Sequence, residues 1–291
     1  MGSFRMTVGA VEIVALTDMN LVFPMPLKEL WARVPLEAWR PYREQYPDTF
    51  AGDYMRLEIG CYLVRSQSRT ILIDTGYGDG PIASIGGLRG QLMADLAAKK
   101  VRPEEVDLVF LSHLHSDHVG WNTTLHHGQL HPTFPNARYV VHRADWDAFR
   151  KPVVQARFSF PYLDRCVESL DRLGVLDVIA EDHHLTSDVR VLHTPGHTPG
   201  HMSVLVASQG QRALIQGDVL IHPAQVTEPD WNCHFDMDWA SATQTRKRLL
   251  DLAEADHTAV ISCHFPFPGF GQVIRVEGRR YWQVGLSWRP T

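Results

Sequence analysis

His113-Leu114-His115-Ser116-Asp117-His118 sets three imidazoles and one carboxylate within six consecutive residues. It follows directly on Val106-Asp107-Leu108-Val109-Phe110-Leu111, a largely apolar run that reads as a strand. In an extended segment residues i and i+2 share a face, so His113 and His115 point the same way. Asp117 and His118 lie one step further round the turn, where they can reach a second ion. The hexapeptide therefore points to two metals rather than one, placed where a strand leaves its sheet.

Four more segments put a polar ligand type just past an apolar strand. They are Ile71-Leu72-Ile73-Asp74-Thr75-Gly76, the stretch His193-Thr194-Pro195-Gly196-His197-Thr198-Pro199-Gly200-His201, Gln216-Gly217-Asp218, and Ser262-Cys263-His264-Phe265-Pro266. Strand ends gathered at one edge bring distant residues to one point. Cys263 stands beside His264, and strand alternation turns its thiol to the opposite face. His193 and His201 read as a strand-end residue and a supporting or packing group.

Period and punctuation place the remaining elements. Strands are expected at 11–17, 60–65 and 70–74, then at 106–111, 138–142, 189–193, 202–207, 212–216, 258–262, 272–276 and 281–284. Helices are expected at 88–99, where Leu88, Leu92 and Leu96 keep helical spacing, and at 144–150, 163–173 and 239–255. Residues 23–53 differ: Pro24, Pro26, Pro35, Pro41 and Pro47 alternate with Trp31, Trp39, Tyr42 and Tyr46. That pattern reads as short, proline-broken helices in an aromatic excursion from the sheet. No linker or low-complexity stretch divides the chain, so residues 1–291 are expected to form one domain. Strands followed by helices in each half suit two packed sheets with helices outside.

Bulk properties exclude several roles. Hydrophobic residues at 44% and charged residues at 21% describe an ordinary soluble protein. A net charge of −5 and a pI near 6.3 argue against nucleic acid as a partner. No run of about 18 apolar residues predicts a membrane span, and residues 1–20 carry no secretory pattern. Cys61, Cys166, Cys233 and Cys263 are scattered, as expected of reduced thiols in a cytoplasmic protein.

With these motifs in this order, the chain resembles the metallo-β-lactamase superfamily from Asp74-Thr75-Gly76 to His264. The resemblance implies an α/β fold, an αββα sandwich of two mixed β-sheets flanked by helices, with a dinuclear site at one sheet edge. Carried over motif by motif, His113, His115 and His197 would hold the first metal. Asp117, His118 and His264 would hold the second, with Asp218 bridging both. Asp74 would accept the far N–H of a ligand imidazole; the alternative is a turn former before Gly76. The seven ligands offer nitrogen and oxygen only. That suits two divalent ions, zinc first, with manganese, cobalt or iron as alternatives. Two such ions about 3.5–4 Å apart share a water whose pKa falls to roughly 7, making a metal-bridging hydroxide the expected nucleophile.

Gly120-Trp121-Asn122-Thr123, Asp230-Trp231 and the excursion are similar to the branch grouping the N-acyl homoserine lactonases with methyl parathion hydrolase-like enzymes. Those lactonases place a tyrosine three residues after the bridging aspartate, and here that position is Ile221, followed by His222. A lactonase or esterase acting on a small, fairly apolar substrate is implied. His222 or Asp117 would pass the proton to the leaving group; equally, His222 reads as a turn residue before Pro223. Trp31, Tyr54, Trp121, Ile221, Trp231, Phe235 and Phe267 are the candidate pocket walls. No Arg or Lys cluster near the motifs prepares a phosphate-monoester site. The rival readings are an organophosphate triester hydrolase and, from another class, an iron-dependent oxidoreductase of the same fold. The expected partner is a small molecule, with residues 23–53 either capping its pocket or making a homodimer contact.

Overall fold

The computed structural model describes residues 4–158 and 162–285, without the side chains of 156–158. One sheet has eight strands, in the order Arg5–Val8, Val11–Pro26, Tyr54–Ser66, Arg69–Ile73, Leu108–Phe110, Arg138–His142 and Leu176–Ile179, with Phe50–Ala51 paired to Tyr54–Ser66. The other has seven, from His183–His184 through Val189–His193, Met202–Ser208, Gln211–Ile215, Ala259–Ile261 and Phe270–Val276 to Arg279–Val284. Both are mixed. Arg69–Ile73, Leu108–Phe110 and Arg138–His142 run parallel, as do Gln211–Ile215 and Ala259–Ile261. Parallel neighbours need a crossover, and Trp239–Ala255 supplies it between the second pair. Parallel strands also end at the same edge, so Asp74, His113, Asp218 and His264 all emerge together.

Alternation along each strand assigns its faces. Ile71, Ile73, Phe110 and Val140 meet Val191, Val204, Ala213, Ile215 and Ile261 in the layer between the sheets. Leu72, Val109, Leu111 and Val141 point the other way, onto Leu92, Leu96, Trp146, Phe149 and Leu170. On the far side Leu249 of Trp239–Ala255 covers Leu214. The α/β sandwich of two mixed sheets flanked by helices is therefore the observed fold.

Several boundaries differ from expectation. The strand expected at 11–17 runs from Val11 to Pro26, and its partner from Tyr54 to Ser66, paired across an irregularity between Thr17 and Met19. Pro24 and Pro26 fit at its end because a second irregularity there interrupts the ladder that needs their missing N–H. The excursion then begins with Leu27–Leu30 and continues through Leu36–Trp39, Arg40–Gln45 and Pro47–Thr49. The helix expected from Leu88 starts at Leu92, and Leu88 is 44% exposed. The Leu92 N–H is taken by Asp18 Oδ1 at 2.9 Å, a cap from another strand that local spacing does not reveal. Residues 163–173 begin with a wide π-wound turn, Asp164–Glu168, before Ser169–Arg172. The hairpin Thr123–His126/Gln129–Pro132 and the strands Arg5–Val8 and Leu176–Ile179 lay outside the expectation.

Ile261 is fully buried between the sheets. Its replacement by alanine is expected to cost about 2–5 kcal/mol in urea unfolding, and a loss well under roughly 1 kcal/mol would contradict tight packing there.

Candidate metal centre

Asp74 ends its strand in the left-handed region, with φ +61°. Its carboxylate accepts the Ser112 N–H at 2.7 Å, the Ser112 hydroxyl at 2.7 Å and the His118 Nδ1–H at 2.8 Å. Asp74 is thus placed to orient the His118 ring. His115 stands at the N-terminal boundary of the one-turn helix Ser116–Val119, which swings Asp117 and His118 back toward the strand ends.

Two groups of ligand atoms result. Around one point lie His113 Nε2, His115 Nδ1 and His197 Nε2, with 3.0 Å between His113 and His115 and 3.0 Å between His115 and His197. Zinc–nitrogen bonds of about 2.0–2.1 Å put tetrahedral ligand atoms roughly 3.3 Å apart, close to this spacing. Around a second point, His264 Nε2 is 3.1 Å from Asp218 Oδ2, and His118 Nε2 is 3.4 Å from Asp218 Oδ1. Asp117 Oδ2 lies 3.6 Å from both His118 and His264. Asp218 Oδ2 also lies 3.3 Å from His197 Nε2, so one carboxylate serves both groups. His118 Nε2 is buried without a hydrogen-bond partner, and its other nitrogen is already given to Asp74. A buried ring nitrogen facing two carboxylates marks a place for positive charge, filled by a proton in the metal-free site and suited to a metal cation. The donor set and its spacing thus fit two divalent ions.

The far sides of the His197 and His264 rings are tied down. His197 Nδ1–H donates to Asp236 Oδ1 at 2.9 Å, and Asp236 Oδ2 accepts from the Cys233 N–H at 3.1 Å and from buried Arg246 at 3.3 Å. His264 Nδ1 reaches the Glu58 carbonyl at 2.8 Å. His201 Nε2 accepts the Asp218 N–H at 2.9 Å. Such partners fix tautomer and orientation, and losing one costs metal affinity.

Burial holds His113 well below the usual imidazole range and brings His115 to about 3, leaving both neutral. Burial also works against a charged His118, but Asp218, Asp117 and Asp74 outweigh it and raise that ring well above its usual value. Asp117 falls to about 2: burial opposes its charge, and His118 overcomes burial.

Other candidate residues are placed differently. Cys263 does not face away: the strand ends at Ile261, alternation lapses, and Sγ donates to Asp218 Oδ1 at 3.2 Å. Burial raises its thiol well above its ordinary value, so it stays protonated beside the carboxylate. His222 is packed edge-on against Trp39 and tilted on Phe50. Its Nε2 meets the Thr49 hydroxyl at 2.7 Å and its Nδ1 accepts the Ala224 N–H at 3.0 Å, so both nitrogens are spent on the fold. Trp31 is 0% exposed and Ile221 is buried in the same apolar cluster, so neither is an open wall. Trp231 packs at a tilt against Trp39, Trp121 donates its indole N–H to Asp18, and Tyr54 and Phe267 are exposed. Phe235 is the pocket candidate brought to the ligands, its ring centroid 6.2 Å from that of His115 and 5.8 Å from that of Phe23.

Asp236 and Arg246 were not singled out from the sequence. A lone aspartate in Cys233-His234-Phe235-Asp236 carries no spacing signal, and its role exists only once the loop folds against His197. The phenol of Tyr77 was also passed over. Burial, then Asp117 and Asp218, push it well above its usual range.

A profile of the metallo-beta-lactamase superfamily matches residues 57–264. The chain belongs to that superfamily. An N-acyl homoserine lactonase of a Bacillus species is 31% identical over 173 residues, covering 54% of this chain and 62% of that protein. A beta-lactamase-like protein 2 homolog of Drosophila melanogaster is 30% identical over 165 residues, covering 55% and 46%. The matches thus span less than two thirds of these relatives. Among solved structures, a hydrolase of the beta lactamase superfamily, AbOPH, superposes with a TM-score of 0.81 at 24% identity, over 97% of this chain and 96% of that one. The dizinc quorum-quenching lactonase AidC superposes at 0.78 and 22%, over 96% of each. At these identities the two structures establish the fold.

Two outcomes test the centre. Asp236→Asn is expected to weaken metal binding about 10- to 100-fold in competition with a chelator. Because metal ligands must shed protons and His118 carries one in the metal-free site, zinc uptake at pH 7 should release protons. Calorimetry in buffers of different ionisation enthalpy reads this, and a heat independent of buffer would contradict it.

Proposed function

We propose that the protein is a dinuclear metal-dependent hydrolase cleaving a lactone or carboxylic ester of a small, fairly apolar substrate. The observation that carries this reading is the Asp218 carboxylate shared between two groups of imidazoles. Bound there, two divalent ions, zinc first, would supply Lewis acidity toward the substrate oxygen and ionise water near neutral pH. The chain's own residues do the rest. Asp117 is the proton carrier of choice over His222, since its side chain keeps 17% exposure while His118, His264 and Asp218 keep 5% or less. Asp117, through the carboxylate oxygen not given to the metal, would take the proton of the attacking water and return it to the leaving oxygen. Phe235 and Phe23 offer an apolar face beside His115 for the acyl part. The likeness to N-acyl homoserine lactonases supports this substrate class.

The direct test is turnover by zinc-loaded protein of a lactone panel, an aryl acetate and a phosphotriester, with metal analysis. Lactones and the aryl ester should be cleaved fastest. Preference for the triester would move the reading to organophosphates, iron with oxygen consumption would move it to redox chemistry, and no turnover of any would sink it. His118→Ala is expected to lower kcat/KM by roughly 10²-fold or more, the scale for losing a group that stabilises the transition state. Retained activity with one metal would instead mean a mononuclear enzyme.

A further inference from the structure

Asp18 is 0% exposed, and no Arg or Lys pairs with it among the described residues. It lies at the irregularity between Thr17 and Met19 in the longest strand. Its Oδ2 accepts the Tyr77 N–H at 2.7 Å, and its Oδ1 accepts the Leu92 N–H at 2.9 Å and the Trp121 indole N–H at 2.8 Å. A buried carboxylate is tolerable only with such donors, and these come from three separate segments. The fit leaves no spare room: a Cβ on Gly76 would collide with the carboxylate.

The segments that carry Tyr77 and Trp121 are joined to each other. The Thr75 N–H donates to the His118 carbonyl at 2.8 Å, the Gly120 N–H to the Gly76 carbonyl at 2.7 Å, and the Trp121 N–H to the Thr75 carbonyl at 3.1 Å. Gly120 packs so closely on the Tyr77 carbonyl that no side chain fits there. Asp117 and His118 sit on one of these segments, and Asp74, which orients His118, begins the other. The His197 loop has its own supports. Asp145 accepts the Thr198 hydroxyl at 2.8 Å and the Gly200 N–H at 2.6 Å, and Asp236 holds the His197 ring. The two halves of the centre are therefore braced by different buried carboxylates.

We propose that Asp18 is a positioning residue for the Asp117/His118 half of the centre, acting through its bonds to Tyr77 and Trp121. The inference rests on the two-metal reading. Asp18→Asn keeps the shape, yet both carboxylate oxygens face N–H donors, so either amide orientation turns an NH2 group against one of them. Trp121→Phe removes a single donor and leaves the carboxylate in place.

Zinc is titrated into the metal-free full-length protein against a chromophoric chelator. Wild type should take two equivalents. In Asp18→Asn the first should bind as in wild type and the second about 10- to 100-fold more weakly, with Trp121→Phe changing the second in the same direction by less. A role confined to stability would lower the thermal midpoint and leave the two zinc affinities as they were, which overturns the proposal. Equal weakening of both equivalents overturns it as well. A wild type that takes one equivalent overturns the two-metal reading and this inference together, whereas two equivalents of unchanged affinity in all three proteins overturn the inference alone. If Asp18→Asn does not fold, Trp121→Phe decides, and an unchanged second equivalent counts against the proposal.

Discussion

The Asp218 carboxylate is buried, and its two oxygens face four imidazoles, those of His113, His118, His197 and His264. An ionised carboxylate in the interior costs several kcal/mol unless opposite charge and hydrogen bonds compensate it. Burial alone would raise its pKa, but His264, then His118 and His113, hold it well below the ordinary value. Each ring that approaches must in turn be aimed, and aiming requires a partner behind it. Much of the polar chemistry buried at this sheet edge exists to meet that requirement.

The sheets meet it because of strand direction. Parallel neighbours release their chain ends at one edge, so loops well separated in sequence open side by side. Behind the ligands the supports are carboxylates as well: Asp74 on His118, Asp236 on His197 and Asp145 under the loop that carries His197. Asp18 extends the same device one step outward, from side chains to whole segments. Buried acids used this way trade desolvation cost for directionality, since each accepts two or three donors whose positions are then set.

The aromatic excursion takes a different part. Trp31, Trp39, Tyr42 and Tyr46 close on Leu220, Ile221 and Trp282 as an apolar core of their own. His222 is drawn into that core as a neutral ring, brought to about 3 by burial. What the excursion turns toward the centre is modest: Phe23, at the end of the long strand, against Phe235.

Local sequence marked the candidate ligands and most of the strands. His113, His115, Asp117, His118, His197, Asp218 and His264 each stand just past an apolar run or within a glycine- and proline-marked turn, so position along the chain already implied their convergence. Alternation of apolar residues likewise assigned Ile71, Leu72 and Ile73 to their faces. Tertiary structure decided whatever depends on a partner remote in the chain. The helix at Leu92 starts where Asp18 caps it, the Cys263 thiol turns to Asp218 once its strand has ended, and Asp236 gains its role only beside His197. Trp31 and His222 went to the core because an aromatic residue in a proline-broken segment has no period to say which side it faces, and packing alone made that choice.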